Sequence, residues 1–567
     1  MINIREDYLL KIKKIPDVSF NQEQKEIAKK IISSADEKDL DSIYNLITQR
    51  VKTGFVFDEA PEINHNCVAL IKENKKLNIV GDGFEPVEHK LIIGENYDAL
   101  KNLCATYIDK NGKGLIDVIY IDPPYNTEAS KAEGNDYKEK VEASKFVYRD
   151  KFTRDGWLNM MNERLKLAKR LLSDTGVIFI SIDDSEQAYL KVLCDEVFGE
   201  DNFIGNIIWL KGNAQNDADN IQKNNEHILV IAKKKQKNLL SVETEKEVKI
   251  IQENGRFFYE GAGLTTGGAG GTLNQRPNLG YTIYYNPKTK DKIAVLDYDI
   301  EKAKISNIET EVYYDNTELL NKGYIKIRPP KKGNKLGRWT WKIDKFNEEK
   351  EDIYIKETSS GYSVIKKETV EETQTRIITN GPLKSFVNIS SANGTKELAQ
   401  IFNEKVFDNP KPVELISYFI KAIYNNNKNA IVLDFFAGSG TTGQAVMELN
   451  EDDGGKRQFI LVTNNENNIG TEITRERLYR VIKGKGSNGE SIKWQTPKGK
   501  PCLSSNCVSV FDITHTELTL NDLEKAEKIR DIAKTEFKKL NPSCSFSNDF
   551  DIYNELSALN PYKKTEE

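Results

Sequence analysis

The most constraining stretch of the chain runs from Ile116 to Tyr125. Ile116-Asp117-Val118-Ile119-Tyr120-Ile121 is apolar, β-branched and aromatic, the composition of a strand covered on both faces in a parallel sheet. Asp122-Pro123-Pro124-Tyr125 follows directly. Two consecutive prolines fix two φ angles and remove two N–H donors, so neither strand nor helix continues through them. The strand therefore ends with Asp122 and Tyr125 at its carboxyl edge, where open α/β sheets bind their ligands.

The same four residues suit one chemistry. An exocyclic amino group on a nucleobase is a poor nucleophile, because its lone pair is delocalised into the ring. A carboxylate accepting one N–H and a backbone carbonyl accepting the other would localise that pair. Asp122 can supply the carboxylate, and Pro123 the carbonyl, held rigid by Pro124. Tyr125 can stack on a base taken out of the duplex. A plain tight turn after a strand is the other reading of this tetrapeptide.

The surroundings read as alternating strands and helices. Residues 90–104 are expected as strand, turn and helix, with Gly94 at the strand end and Asn96 as the helix cap. Residues 155–172 form an amphipathic pattern through Trp157, Leu158, Met161, Leu165, Ala168 and Leu172, with Trp157 read as core. Residues 177–182 are a buried strand, Asp183 to Glu186 a helix cap, and 187–198 a helix. Six alternating elements make one half of a doubly wound sheet. The polar loop at 126–150 reads equally as a mobile lid or as disorder. Residues 1–55 carry helix formers and no legible function.

Residues 210–400 break the alternation. They hold the glycine-rich runs 261–263 and 267–271, short tyrosine-rich strands such as 281–285, and the stretch 328–342. That stretch is rich in Lys and Arg, carries Trp339 and Trp341, and has no acid. Basic residues interleaved with aromatics suit a nucleic-acid surface; a solvated hairpin is the competing reading. Lys331, Lys332, Lys335 and Arg338 are the candidate phosphate contacts.

A second half-site lies at 429–466. Ala430 to Phe435 reads as a buried strand, followed by the turn Phe436-Ala437-Gly438-Ser439-Gly440-Thr441-Thr442-Gly443 and a helix from Gln444. Glycines let a backbone approach a ligand, and a helix N-terminus favours a negative group. A Cβ at Gly438 or Gly440 is expected to enter the ligand's space. The next strand, Phe459 to Val462, ends near Glu466, an acid that can take both hydroxyls of a ribose. The glycine spacing also satisfies the dinucleotide pattern, so a nicotinamide-dependent oxidoreductase stays open. The combination with a distant Asp-Pro-Pro-Tyr decides, because hydride transfer has no use for that tetrapeptide.

The composition narrows the class. A chain of 567 residues exceeds one hydrophobic core and implies two or three domains. No run approaches the ~20 apolar residues of a membrane helix, and residues 1–7 lack the pattern of a signal peptide, which points to the cytoplasm. Six scattered cysteines and four histidines lack zinc spacing, so no metal is expected. The net charge of −5 gives no overall pull on nucleic acid, although a local basic surface suffices.

Asp434-Phe435-Phe436-Ala437-Gly438-Ser439-Gly440-Thr441-Thr442 together with Asp122-Pro123-Pro124-Tyr125 resembles the S-adenosylmethionine-dependent amino-methyltransferases of DNA. The order, catalytic motif first, is similar to their β class, and the leading Asp to the adenine-N6 enzymes. The stretches 52–57, 91–96, 157–161, 276–279, 394–398 and 409–416 extend the resemblance to the Mod (modification) subunits of type III restriction systems. Glu95 departs from it, since the family often has Asp there.

The resemblance implies a doubly wound, Rossmann-like methyltransferase α/β sheet with a large inserted target-recognition domain and helical terminal extensions. The expected boundaries are 1–60 for an N-terminal helical extension, 61–205 for the catalytic half of the core, 206–400 for the insertion, 401–482 for the cofactor half and 483–567 for a C-terminal domain in dimerisation or partner binding. It implies S-adenosylmethionine bound by Asp434 to Thr442 and Glu466, duplex DNA as substrate, one adenine flipped and methylated at N6, a homodimer, and a separate ATP-driven restriction subunit. No Gly-x-x-x-x-Gly-Lys-Ser/Thr loop occurs, so an ATPase would be another chain. A solitary adenine methyltransferase and an inactive DNA- or RNA-binding regulator are the alternatives.

Overall fold

The strand expected at 116–121 lies near the middle of an eleven-stranded sheet. The computed structural model describes residues 4–14, 22–36, 39–40, 43–44, 47, 63–125, 154–212, 221–265, 270–359, 361–423, 426–494, 502–517, 523–544 and 556–559. The expected lid at 126–150 and the stretch 52–57 lie outside them. The chain divides into two compact units, residues 1–241 with 382–567, and residues 242–381.

In the larger unit the sheet strands are β1 (Ile63–Glu73), β2 (Val87–Ile93), β3 (Ile116–Ile121), β4 (Leu172–Ile182), β5 (Phe203–Leu210), β6 (Asn225–Ala232), β7 (Phe386–Asn388), β8 (Ile431–Asp434), β9 (Gln458–Thr463), β10 (Asn506–Glu517) and β11 (Ser557–Leu559). Their order is β7-β5-β6-β4-β3-β8-β9-β2-β10-β1-β11. The six strands from β4 to β10 run parallel. Antiparallel pairs flank them, β4 with β6 on one side and β10 with β1 on the other.

Helices cover both faces, as alternation along the strands requires. Ile119 and Ile121 of β3 pack with α3 (Asn96–Thr106), α4 (Arg154–Leu171) and α5 (Gln187–Phe198). Val118 and Tyr120 pack on the other face with α7 (Val413–Lys421), α8 (Thr441–Asp453) and α9 (Arg475–Lys483). Next to α7 in sequence is α6 (Ala392–Phe402). The helices α1 (Ile4–Lys14) and α2 (Gln22–Ser34) share a small core of their own through Ile12, Ala28 and Ile32. The run β2-α3-β3-α4-β4-α5 reproduces the expected alternation.

Three expectations need correction. The insertion is shorter than 206–400, because residues 203–210 and 225–232 are sheet strands and 386–388 pairs with β5; it spans 242–381. The segment 483–567 is no separate domain, since β10 fills the sheet between β2 and β1. Asn96 is not the cap of α3. The Glu95 carboxylate accepts from the N–H groups of Tyr97 and Asp98, while Asn96 donates to the Phe435 carbonyl at 2.9 Å.

In the smaller unit a four-stranded antiparallel sheet (Ile353–Thr358, Gly361–Thr369, Arg256–Gly263, Ile251–Glu253) and a three-stranded one (Lys292–Val295, Thr282–Tyr285, Ile325–Ile327) contribute to one core. Val242–Glu247 and Arg376–Gly381, its first and last strands, pair antiparallel with Val242 opposite Gly381.

A chain ending at residue 482 should fail to fold cooperatively. It loses β10, including the buried Val508, Val510 and Phe511, each worth about 1.5–3 kcal/mol of burial, against a total margin of roughly 5–15 kcal/mol. Circular dichroism melting of the truncated chain beside the full chain checks this; a cooperative transition at an unchanged temperature would contradict it.

Candidate active site

Two strand ends create the site. β3 and β8 pair in parallel with Val118 opposite Val432 and Ile119 opposite Leu433. Continuing that register brings Asp122 alongside Phe436, so Asp-Pro-Pro-Tyr and the glycine turn meet at one edge of the sheet. The turn is fastened to the next strand by the Ala437 N–H on the Val462 carbonyl, 3.0 Å. Glu466 lies three residues beyond β9, in the short turn Glu466–Asn468 at the same edge.

Asp122 sits in a charged cluster. Its Oδ2 lies 2.7 Å from Lys411 Nζ, and its Oδ1 lies 2.7 Å from the Tyr125 hydroxyl. That hydroxyl is also 3.0 Å from Glu226 Oε2 and accepts from Lys411 at 2.8 Å. Glu226 Oε1 is 3.2 Å from Lys211 Nζ. Burial pushes the Asp122 carboxyl up, Lys411 pulls it back, and the Glu226 charge adds to the rise. Glu226 is also penalised by burial, yet Lys411 and Lys211 together hold it below the usual carboxylate range. Burial and the two carboxylates push the Tyr125 hydroxyl well up, so it keeps its proton. Trp157 is fully buried, as expected, and its indole N–H also holds the Pro124 carbonyl at 2.7 Å.

Sequence reasoning assigned no role to Lys411, Glu226 or Lys211. Lys411 stands between Pro410 and Pro412, a confined setting for a cation, and that was the available signal. Glu226 carried none, because an acid at the start of a strand is ordinary.

In the glycine turn, Gly438 and Gly440 have φ of +49° and +77°, which residues with a Cβ rarely adopt. A Cβ on Gly440 would meet Thr474 Cγ2 at 3.1 Å, and one on Gly438 the Phe407 ring at 3.5 Å. Backbone conformation by itself therefore favours glycine at both positions. The polar side chains of the turn point inward. Asp434 accepts from the Phe436 N–H at 3.0 Å and the Thr442 hydroxyl at 2.5 Å. Arg477, fully buried, donates to the Ser439 carbonyl at 3.2 Å, the Thr441 hydroxyl at 2.7 Å and Gln444 at 2.8 Å. Phe435 is buried, and its carbonyl is the one held by Asn96. A ligand here would meet chiefly backbone. Glu95 is occupied too, capping α3 with one oxygen and pairing with Arg164 through the other.

The remaining candidates lie in the smaller unit. Trp339 is buried in its core, donating to the Tyr281 carbonyl at 2.7 Å, and Trp341 packs against that core. Burial removes Trp339 from any surface role, whereas Trp341 is half-buried with Lys345 Nζ 4.5 Å from its ring centre. Arg338 donates to the carbonyls of Gly270 and Trp339, at 2.7 and 3.0 Å. Lys331 is exposed and 3.0 Å from Glu309; Lys332 and Lys335 close a tight turn through their backbones.

A doubly wound sheet that sets Asp-Pro-Pro-Tyr beside a glycine turn at one edge is the layout of the Rossmann-like DNA amino-methyltransferases. The family described as DNA methylase matches residues 116–483, and the chain belongs to it. A family described as an uncharacterised conserved protein matches residues 5–112. The chain is 31% identical over 437 residues to the type III restriction-modification enzyme EcoPI Mod subunit of Escherichia phage P1, covering 70% of this chain and 62% of that one. It is 32% identical over 471 residues to the StyLTI Mod subunit of Salmonella typhimurium, covering 74% and 59%. Against the type II methyltransferase M.KpnI of Klebsiella pneumoniae it is 30% identical over 394 residues, covering 69% and 84%. The chain thus spans about 60% of the length of the two Mod subunits.

Asp434 generates a stability prediction. Burial pushes its carboxyl up to about 7 from an ordinary 3.8, with the Thr442 and Phe436 hydrogen bonds opposing. The fold favours the protonated form, so this group's contribution to stability is lost as pH rises from about 4 through 7. The advantage of Asp434→Asn over wild type should grow across that window by up to a few kcal/mol. Urea unfolding of both proteins from pH 4 to 8 tests it; a constant difference would contradict it.

Proposed function

We propose that this chain transfers a methyl group from S-adenosylmethionine to the N6 of an adenine flipped out of duplex DNA. The observation that carries the reading is the pairing of β3 with β8, which sets Asp122 next to the glycine turn. Two positive-φ glycines leading into the 13-residue helix α8, with an acid beyond β9, fit a nucleoside bearing an amino-acid tail. Asp434 to Thr442 would hold the cofactor through the turn's backbone, and Glu466 its ribose. When bound, the cofactor supplies an electrophilic methyl group.

The chain's own residues then do three things. Asp122 and the Pro123 carbonyl accept the two N–H bonds of the adenine amino group and aim its lone pair. Tyr125 stacks on the flipped ring. Asp122 acts as a positioning acceptor and not as a base that deprotonates first, since the amino group is far too weak an acid.

The similarity to two Mod subunits supports a modification and specificity role beside a separate ATP-dependent restriction subunit, with homodimerisation and a cytoplasmic location. The fuller coverage of M.KpnI, 84% against about 60% of the Mod subunits, favours a second reading, an enzyme acting without that subunit. Among the described residues no helix is long and apolar enough to cross a membrane, and no group of three metal-ligating side chains occurs. The unit 242–381 would read the target, with Lys331, Lys332 and Lys335 on phosphates; Arg338 is the weakest member because its guanidinium braces backbone.

Asp122→Ala should lower methyl transfer at least about a hundred-fold while cofactor affinity by calorimetry stays within a few fold. Near-normal turnover would sink the assignment. Single-molecule sequencing of DNA treated with the wild-type protein should find methylated adenine in one sequence context. Methyl marks on cytosine would refute the base.

A double change, Lys331→Ala with Lys332→Ala, should weaken binding to specific and random duplexes alike. It should also make the salt dependence shallower by about one to two units of slope. Titration of a labelled duplex at several salt concentrations reads both, and an unchanged slope would leave these lysines as a solvated turn.

A further inference from the structure

Lys411 meets Asp122 in a way that the methylation reading does not require. Its Nζ has three N–H bonds and three acceptors in reach: Asp122 Oδ2 at 2.7 Å, the Tyr125 hydroxyl oxygen at 2.8 Å and Glu226 Oε2 at 3.4 Å. The side chain is 10% exposed, and its ammonium lies 5.0 Å from the centre of the Tyr125 ring and 5.7 Å from that of Trp209. Pro410 and Pro412 restrict the backbone on both sides. The cation is thus fixed by its own segment, by β6 through Glu226, and by the Tyr125 and Trp209 rings beside it. All of these residues belong to the larger unit.

The Tyr125 hydroxyl occupies Asp122 Oδ1, an oxygen an incoming amino group would need. A Tyr125 ring turned to stack on a base would release that contact. Lys411 reaches Oδ2 directly, and it keeps Glu226 and the Trp209 ring as partners that do not involve Tyr125. Two carboxylates in a buried cluster cannot both stay charged without a cation between them. A protonated Asp122 would be a weaker acceptor than a carboxylate.

We infer that Lys411, braced by Glu226, is a positioning residue for methyl transfer: it holds Asp122 Oδ2 and keeps that carboxylate charged, so that Oδ1 is presented to the substrate amine. The inference rests on the proposed base methylation and adds to it a residue that acts through Asp122. Among the described residues, the charged and titratable groups facing Asp122 are Lys411, Glu226 on β6, Lys211 just past β5 acting through Glu226, Tyr120 on its own strand, Tyr125, and Asp434 on β8. Substituting Lys411 or Glu226 changes the field at Asp122 in opposite senses and leaves the others in place.

The test is the pH dependence of single-turnover methyl transfer into unmethylated plasmid DNA, with thermal melting as a folding control. Lys411→Met should move the acid limb of the profile up by about one to two pH units, and Lys411→Arg should return it toward wild type. Glu226→Gln should move it down. An unmoved limb in Lys411→Met, or an unmoved or upward limb in Glu226→Gln, would overturn the inference. If Lys411→Met does not fold, the sign of the Glu226→Gln shift decides alone. A wild-type protein that transfers no methyl group refutes the methylation reading instead. The charge relation is then read by isotope-edited infrared titration of the Asp122 carboxyl, as wild type minus Asp122→Asn. The midpoint must rise in Lys411→Met and fall in Glu226→Gln, and any other pattern rejects it.

Discussion

Everything at the candidate site depends on one short parallel contact, Val118 to Val432 and Ile119 to Leu433. It joins segments more than three hundred residues apart in sequence. Parallel strands need long crossovers, and here the crossover accommodates four further sheet strands, the helices α4 to α7 and a whole second unit before β8 returns. The contact is worth the cost in loop closure because that cost grows only slowly with length, while both strands bury side chains on two faces. Neither half-site has meaning without it: one would be a turn after a strand, the other a glycine loop.

The edge is stiffened from behind by buried polar side chains. Arg477 has no direct carboxylate partner among the described residues, and burial lowers its pKa to about 10. It persists because it satisfies the Ser439 carbonyl and the Thr441 hydroxyl, which the turn would otherwise bury unpaired. Asn96 does the same for the Phe435 carbonyl, and Thr474 for that of Gly438 at 2.6 Å. The glycine turn is thus a preformed shape held by its protein side.

Local rules made much of this visible in the sequence. The proline pair stopped β3 where it was expected, and the alternation from 90 to 200 gave the first half of the sheet. What stayed hidden was non-local. Residues 203–232 look like part of an insertion until their strands pair with β4 and with β7. β10 looks like a tail until it is seen between β2 and β1. The cap of α3 moved by one residue because Asn96 was drawn to a carbonyl from a distant strand. Trp339 sits in a basic stretch but fills a core, with Trp341 half-buried against it. Lys411 and Glu226 belong to a cluster that only tertiary packing assembles, so their spacing in sequence says nothing of it.

The smaller unit begins and ends in two strands paired along their length, Val242 opposite Gly381. Its entry and exit are therefore neighbours, whatever lies between. A segment closed by such a stem asks little of its host: two chain ends at one place, and no strand of the large sheet. Natural exchange of the interior between related chains would then leave β3, β8 and their shared edge untouched. Change inside the smaller unit is thus decoupled along the chain from the strands of the candidate site, a separation set by where the backbone leaves and re-enters.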